Sequence, residues 1–177
     1  MGITQKLLKM MNGTRNTDET HPYWGGNQRV IKSFLQDVIR DLVQSELIDL
    51  QVGSDDGAYA SFWNVFCYKK NSTSTYTRGI TLYLCELEPV VVMGSTGGKR
   101  GKNQSGLFDL RPENLNIFPQ GDWTEVVIEL KYKLEKHGFI LLDPEFVKQP
   151  MPFEVKIRTI LKQPPYQIFD AFFHSED

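Results

Sequence analysis

The chain has 177 residues, of which 40% are hydrophobic and 24% are charged, with a formal net charge of −2. This composition is typical of one globular domain, and a chain of this length buries roughly 70% of its unfolded surface without a metal or disulfide framework. The charge lacks the basic excess of nucleic-acid binders, so we expect no nucleic-acid partner.

Residues 1–27 are predicted to form an N-terminal arm. Segment 3–11 places four apolar side chains on one face of a short amphipathic helix: Ile3, Leu7, Leu8 and Met11. We expect this helix to pack onto the domain, with binding to a membrane or a partner helix as the alternative. The Met1 end carries no long apolar segment, so we expect no signal peptide, no membrane span and a cytoplasmic location.

Two amphipathic helices are predicted, at 28–43 and 122–137. The first has a pair of apolar residues on every turn, and Asn27 is its predicted N-cap. In the second, Asp122 and Glu125 have the spacing of a capping box.

The longest apolar run, 78–94, is predicted to form two strands, 79–87 and 90–93, separated at Pro89. Both parities of the first strand are largely apolar, which indicates a central strand covered on both faces. The other predicted strands are 47–52, 60–70, 107–110, 139–142, 153–161 and 166–174. We predict a single α+β domain over 1–177, with a mostly antiparallel sheet wired as a meander and the two helices packed on it.

A glycine-rich segment, 94–106, is predicted to be a flexible loop. Its glycine and lysine spacing does not match a P-loop, because only three residues separate Gly94 from the Gly98-Lys99 pair. Lys99, Arg100 and Lys102 are candidates for binding an anion or an acidic partner, which would make the chain an adaptor module.

The sequence gives little evidence for a metal site or for a reactive thiol. The histidines show no metal-ligand spacing, and we expect no metal and no cofactor. Cys67 and Cys85 are predicted to be buried thiols that act as small hydrophobes; pairing stays open if their strands are neighbours. Alternation along the last predicted strand puts Asp170, His174 and Glu176 on one face, where they would serve a small hydrolase as acid and base or, as the alternative, bind a metal.

The final residues, Tyr166-x-Ile-Phe-Asp-Ala-x-Phe-x-x-Glu-Asp177, resemble the ends of small bacterial proteins. Some of these look like immunity proteins encoded beside polymorphic or contact-dependent toxins, and the match covers the last predicted strand. The resemblance implies a non-enzymatic protein that binds and neutralises a toxin domain, often a nuclease with a basic active site. The acidic residues that would serve are Asp55, Asp56, Glu86, Glu88, Glu176 and Asp177.

Overall fold

The structure is a computed structural model that describes residues 20–23, 25–53, 59–99, 109–152 and 162–176, together with 154, 157 and 159. Its elements in chain order are α1 (Gln28–Val43), β1 (Ile48–Val52), β2 (Tyr59–Ala60), β3 (Phe62–Lys69), β4 (Tyr76–Cys85), β5 (Val90–Lys99), a 3₁₀ turn (Pro112–Asn114), α2 (Thr124–Lys136), β6 (Ile140–Leu141), α3 (Pro144–Val147), α4 (Ile168–Phe172) and β7 (Ser175–Glu176).

Within the described residues, five strands form one sheet in the order β1-β3-β4-β5-β6. The first four strands are antiparallel neighbours, and β6 joins β5 in parallel. A separate antiparallel pair joins β2 to β7. The predicted α+β class and the meander are therefore confirmed.

One face of the sheet is covered by the two long helices. Alternate residues of the central strands point to this side, and they pack with the apolar stripes of α1 and α2 into what we call the helix-side core. Its members include Leu35, Val38, Leu42, Val65, Cys67, Ile80, Leu82, Leu84, Met93, Val126, Leu130 and Leu134.

The other face of the sheet is covered by the C-terminal half of the chain. Residues of opposite parity on β4 and β5 pack there against α3, α4 and the segment around the 3₁₀ turn. The members of this second core include Tyr83, Cys85, Val90, Val92, Leu110, Leu115, Phe146, Ile168, Phe169, Phe172 and Phe173. The prediction that β4 is covered on both faces is confirmed.

The predicted caps of the long helices are confirmed in part. Asn27 Oδ1 accepts hydrogen bonds from the backbone N–H groups of Arg29 and Val30, at 3.1 and 3.4 Å. The capping box predicted for α2 is wrong, because Trp123 occupies the cap position without a side-chain cap bond. Asp122 instead accepts one hydrogen bond from the N–H of Thr124.

The glycine-rich segment is not a loop over its first half, because residues 94–99 continue β5. A side chain at Gly94 would overlap the carbonyl oxygen of Asn114, and one at Gly98 would lie 3.1 Å from the ring of Phe66. Gly94 and Gly98 therefore let neighbouring parts of the chain pack closely against β5. Here glycine serves close packing and not flexibility. Residues 100–106 lie outside the described part of the chain.

The last predicted strand is also wrong, because Ile168–Phe172 is the helix α4. Gln167 and Asp170 form a capping box that starts this helix, and the apolar side chains then follow at helical spacing. Of the predicted strand 153–161, only 154, 157 and 159 are described, and none of them lies in a strand. Residues 109 and 110 are not in a strand either, whereas 107, 108 and the predicted helix 3–11 lie outside the described residues.

Candidate functional site

Asp170, His174 and Glu176 do not lie along one strand, whereas the acid–base hypothesis predicts that they do. Because α4 is a helix, Asp170 turns towards its own N-terminus, where Oδ2 accepts hydrogen bonds from the N–H of Gln167 at 2.7 Å and from Nζ of Lys162 at 2.6 Å. His174 lies instead beside Ser61, with Nδ1 3.4 Å from the hydroxyl oxygen. Glu176 pairs through its backbone with Tyr59, and its side chain lies outside the described atoms. The hydrolase hypothesis therefore loses the geometry that motivated it.

Ser61 and His174 form a new contact that sequence reasoning missed. The Ser61 hydroxyl donates to the carbonyl oxygen of Phe172 at 2.8 Å and accepts from the N–H of His174 at 2.9 Å. Ser61 is fully buried. A buried hydroxyl that is already engaged with the backbone on both sides is a structural clamp for the C-terminal segment and is closed to a substrate.

The two glutamates predicted to face a partner are buried in the turn between β4 and β5. Trp63 Nε1 donates to Glu86 Oε1 at 2.6 Å, and the N–H of Glu86 donates to the carbonyl oxygen of Ser61 at 2.7 Å. Glu88 is buried as well. Burial leaves little of either carboxylate accessible, which argues against the partner-binding role predicted for Glu86 and Glu88.

The remaining predicted partner-binding residues are sparsely described. Lys99 ends β5, where its backbone pairs with Tyr76. The other predicted residues lie outside the described part of the chain: Asp55, Asp56, Arg100, Lys102 and Asp177.

The two cysteines are buried free thiols, as predicted. Cys67 is opposite Ile80 across β3 and β4, whereas Cys85 is opposite Phe62, so the register keeps them apart. Burial raises the pKa of each thiol to about 12, which suppresses the reactive thiolate at neutral pH.

The outer face of α2 presents an apolar pair that the sequence reading missed. Ile128 and Tyr132, one turn apart, are 62% and 67% exposed. They lie opposite the buried stripe of the helix, and exposed Glu125 and Glu135 flank them along the same face. We call these four residues the outer face of α2. Its sequence signal is two large apolar residues at i, i+4 on the polar side of an amphipathic helix.

The two glutamates of the outer face are not paired with a cation in the described part of the chain. Among the described residues, neither Glu125 nor Glu135 forms an ion pair. Glu135 also lies in the last turn of α2, where a negative charge opposes the helix dipole. Glu125 lies in the first turn of α2, where the helix dipole favours a negative charge, so helix stability accounts for this residue. It does not account for Glu135 or for the exposure of Ile128 and Tyr132.

Comparison of the chain with protein-family models, curated proteins and solved structures finds no match. None of the helices within the described residues combines the length and hydropathy that crossing a membrane requires. In the same part of the chain, no three side chains of His, Cys, Asp or Glu converge as metal ligands would.

Proposed function

We propose that the chain is a non-enzymatic binding protein, specifically a cytoplasmic immunity protein that binds and neutralises a cognate toxin domain. The observation that carries the proposal is the outer face of α2, where an exposed tyrosine and isoleucine lie between two glutamates. The resemblance of the last twelve residues to immunity proteins supports it independently. The two free cysteines are in keeping with a reducing compartment.

The outer face has the chemistry expected of a docking site for a basic protein. Tyrosine is enriched among the residues that dominate binding energy, because its ring buries a large area at low cost in side-chain entropy. Exposed carboxylates at the ends of the face attract a basic surface and accelerate association. The partner is therefore a toxin domain with an apolar pocket rimmed by lysine or arginine.

The first experiment tests the function itself. The product of the gene immediately upstream is co-expressed with and without this chain, and growth is followed together with copurification of the two proteins. We expect the upstream product alone to arrest growth and co-expression to restore it. A harmless upstream product that does not copurify with the chain would overturn the proposal.

The second experiment tests the surface. The variant Ile128→Ala/Tyr132→Ala should weaken binding at least about 30-fold, the effect of losing roughly 2 kcal/mol at an anchor residue. The matched control, Val30→Ala/Leu87→Ala, truncates two exposed apolar side chains elsewhere and should bind normally. Protection from the toxin with full affinity in the first variant would refute this docking face while leaving the immunity function in place.

A further inference from the structure

A concave groove lies beside the ends of β3 and β4, facing the start of α2. Its volume is about 820 Å³, within the range of small-molecule sites. Three cationic side chains line it, Lys69, Lys70 and Arg78, and among the described residues no carboxylate does. None of these residues belongs to the outer face of α2.

The cations differ in how firmly they are held. Lys69 Nζ donates to the carbonyl oxygen of Asp122 and lies 5.1 Å from the centre of the Trp123 ring, so its position is fixed by two contacts. In the part of the chain that the structure describes, Lys70 and Arg78 form no ion pair. Within the described residues, the positive charge of the groove is therefore not neutralised by a carboxylate.

The uncharged residues that line the groove are of two kinds. Four are apolar: Ile117, Phe118, Pro119 and Trp123. The others carry hydroxyl or amide groups: Asn71, Ser72, Thr77, Ser95, Asn114 and Gln120. An occupant that satisfies both kinds and the cations has a multiply charged anionic end, hydrogen-bonding groups and an apolar or cyclic body.

We infer that this groove binds a phosphate ester of small-molecule size. Arginine recognises phosphate oxygens through its planar fork, and lysine adds a point charge to the same anion. Three cations around one concave site match a phosphate better than a single carboxylate. The apolar residues of the lining then contact the organic part of the ester. This site goes beyond the proposed toxin binding and depends on different residues.

The test is an NMR titration of the ¹⁵N-labelled full chain at fixed ionic strength. The probes are adenosine monophosphate, inorganic pyrophosphate, citrate and a hexaglutamate peptide. We expect adenosine monophosphate to shift the amides of residues 69–72, 77, 78 and 120–123 selectively, and to bind at least tenfold more tightly than citrate. Tighter binding of hexaglutamate would overturn the small-molecule assignment in favour of an acidic protein segment. Binding of pyrophosphate without binding of adenosine monophosphate would overturn the role of the apolar lining residues.

A pair of charge-matched variants locates the site. Lys70→Gln/Arg78→Gln should weaken adenosine monophosphate binding at least tenfold. Arg29→Gln/Lys32→Gln, which removes two cations from the exposed side of α1, should leave it unchanged. An equal loss in both variants would show general charge attraction and overturn the site. Thermal melting checks that each variant is folded, and the single variant Arg78→Gln replaces the double if that one unfolds.

Discussion

At the scale of single residues, Asp41 is the most heavily engaged carboxylate of the helix pair. His137 Nε2 lies 2.8 Å from its Oδ2, and the ammonium groups of Lys133 and Lys136 lie 3.3 and 3.4 Å from its carboxylate oxygens. The hydrogen bond from His137, and then the hydrogen bond and charge of Lys133, lower the pKa of Asp41 below its ordinary value. The carboxylate therefore ties the end of α1 to the end of α2.

This contact predicts a pH-dependent contribution to stability. Because the folded-state pKa is lowered, the contribution is complete above the unfolded-state pKa near 3.8 and is lost as pH falls through the folded value. Asp41→Asn should lower the free energy of unfolding by roughly 1 kcal/mol at pH 7, with the deficit vanishing in strong acid. Urea unfolding from pH 7 to pH 2 measures it. Asp37→Asn, which removes an exposed ion pair with Arg40, should cost little at any pH. A deficit for Asp41→Asn that stays constant down to pH 2 would contradict this account.

At the scale of elements, the long periodic segments could be predicted and the short or cap-dependent ones could not. The α1 helix runs over the predicted residues, because eight apolar side chains repeat along it and Asn27 caps it. The first half of the glycine-rich segment is a strand and not the predicted loop. Glycine occurs both in flexible loops and where a strand packs closely against its neighbours, and a single sequence does not distinguish the two uses. The α4 helix differs from the predicted strand because five residues are too few to distinguish a helical from an alternating pattern. The capping box of Gln167 and Asp170 favours the helix.

The same limit applies to the candidate site. Glu86 and Glu88 look like exposed acids in the sequence, and only the fold of the turn buries them. The pair Ile128 and Tyr132 was visible as a departure from the polar side of α2, but its exposure depends on which other elements cover the helix. The groove lined by Lys69, Lys70 and Arg78 is formed by residues from β3, β4, β5 and the segment before α2. These residues are distant in the sequence, so no local sequence pattern predicts the groove.

The hydrogen bonds of Ser61 predict that this side chain attaches the C-terminal segment to the rest of the domain. Its hydroxyl bridges Phe172 and His174, so Ser61→Ala removes the hydroxyl donor to the buried carbonyl oxygen of Phe172 and the acceptor for the partly buried N–H of His174. We expect a loss of about 1–3 kcal/mol and faster hydrogen exchange confined first to residues 172–176. Ser33→Ala, on the exposed side of α1, is the control and should leave exchange unchanged. Unchanged exchange in Ser61→Ala would mean that the apolar contacts of α4 alone hold the segment.

At the scale of the whole molecule, the two thiols report on the two sides of one sheet. Cys67 belongs to the helix-side core and Cys85 to the second core. Burial raises the pKa of both to about 12, so modification by a thiol reagent at pH 8 requires the surrounding core to open. Because β4 and β5 contribute to both cores, we expect the two faces to open together as one cooperative unit.

Mass-spectrometric mapping of thiol modification in the unaltered protein tests this cooperativity. Across a series of low denaturant concentrations, the free energies of opening measured at Cys67 and Cys85 should coincide and fall with the same slope, and the fully denatured protein supplies the unprotected rate. Earlier modification of Cys85, with a shallower slope, would show that α3, α4 and the C-terminal segment detach while the helix-side core persists. The chain would then consist of two cooperative layers that share a sheet, and the single-domain prediction would hold for its architecture alone.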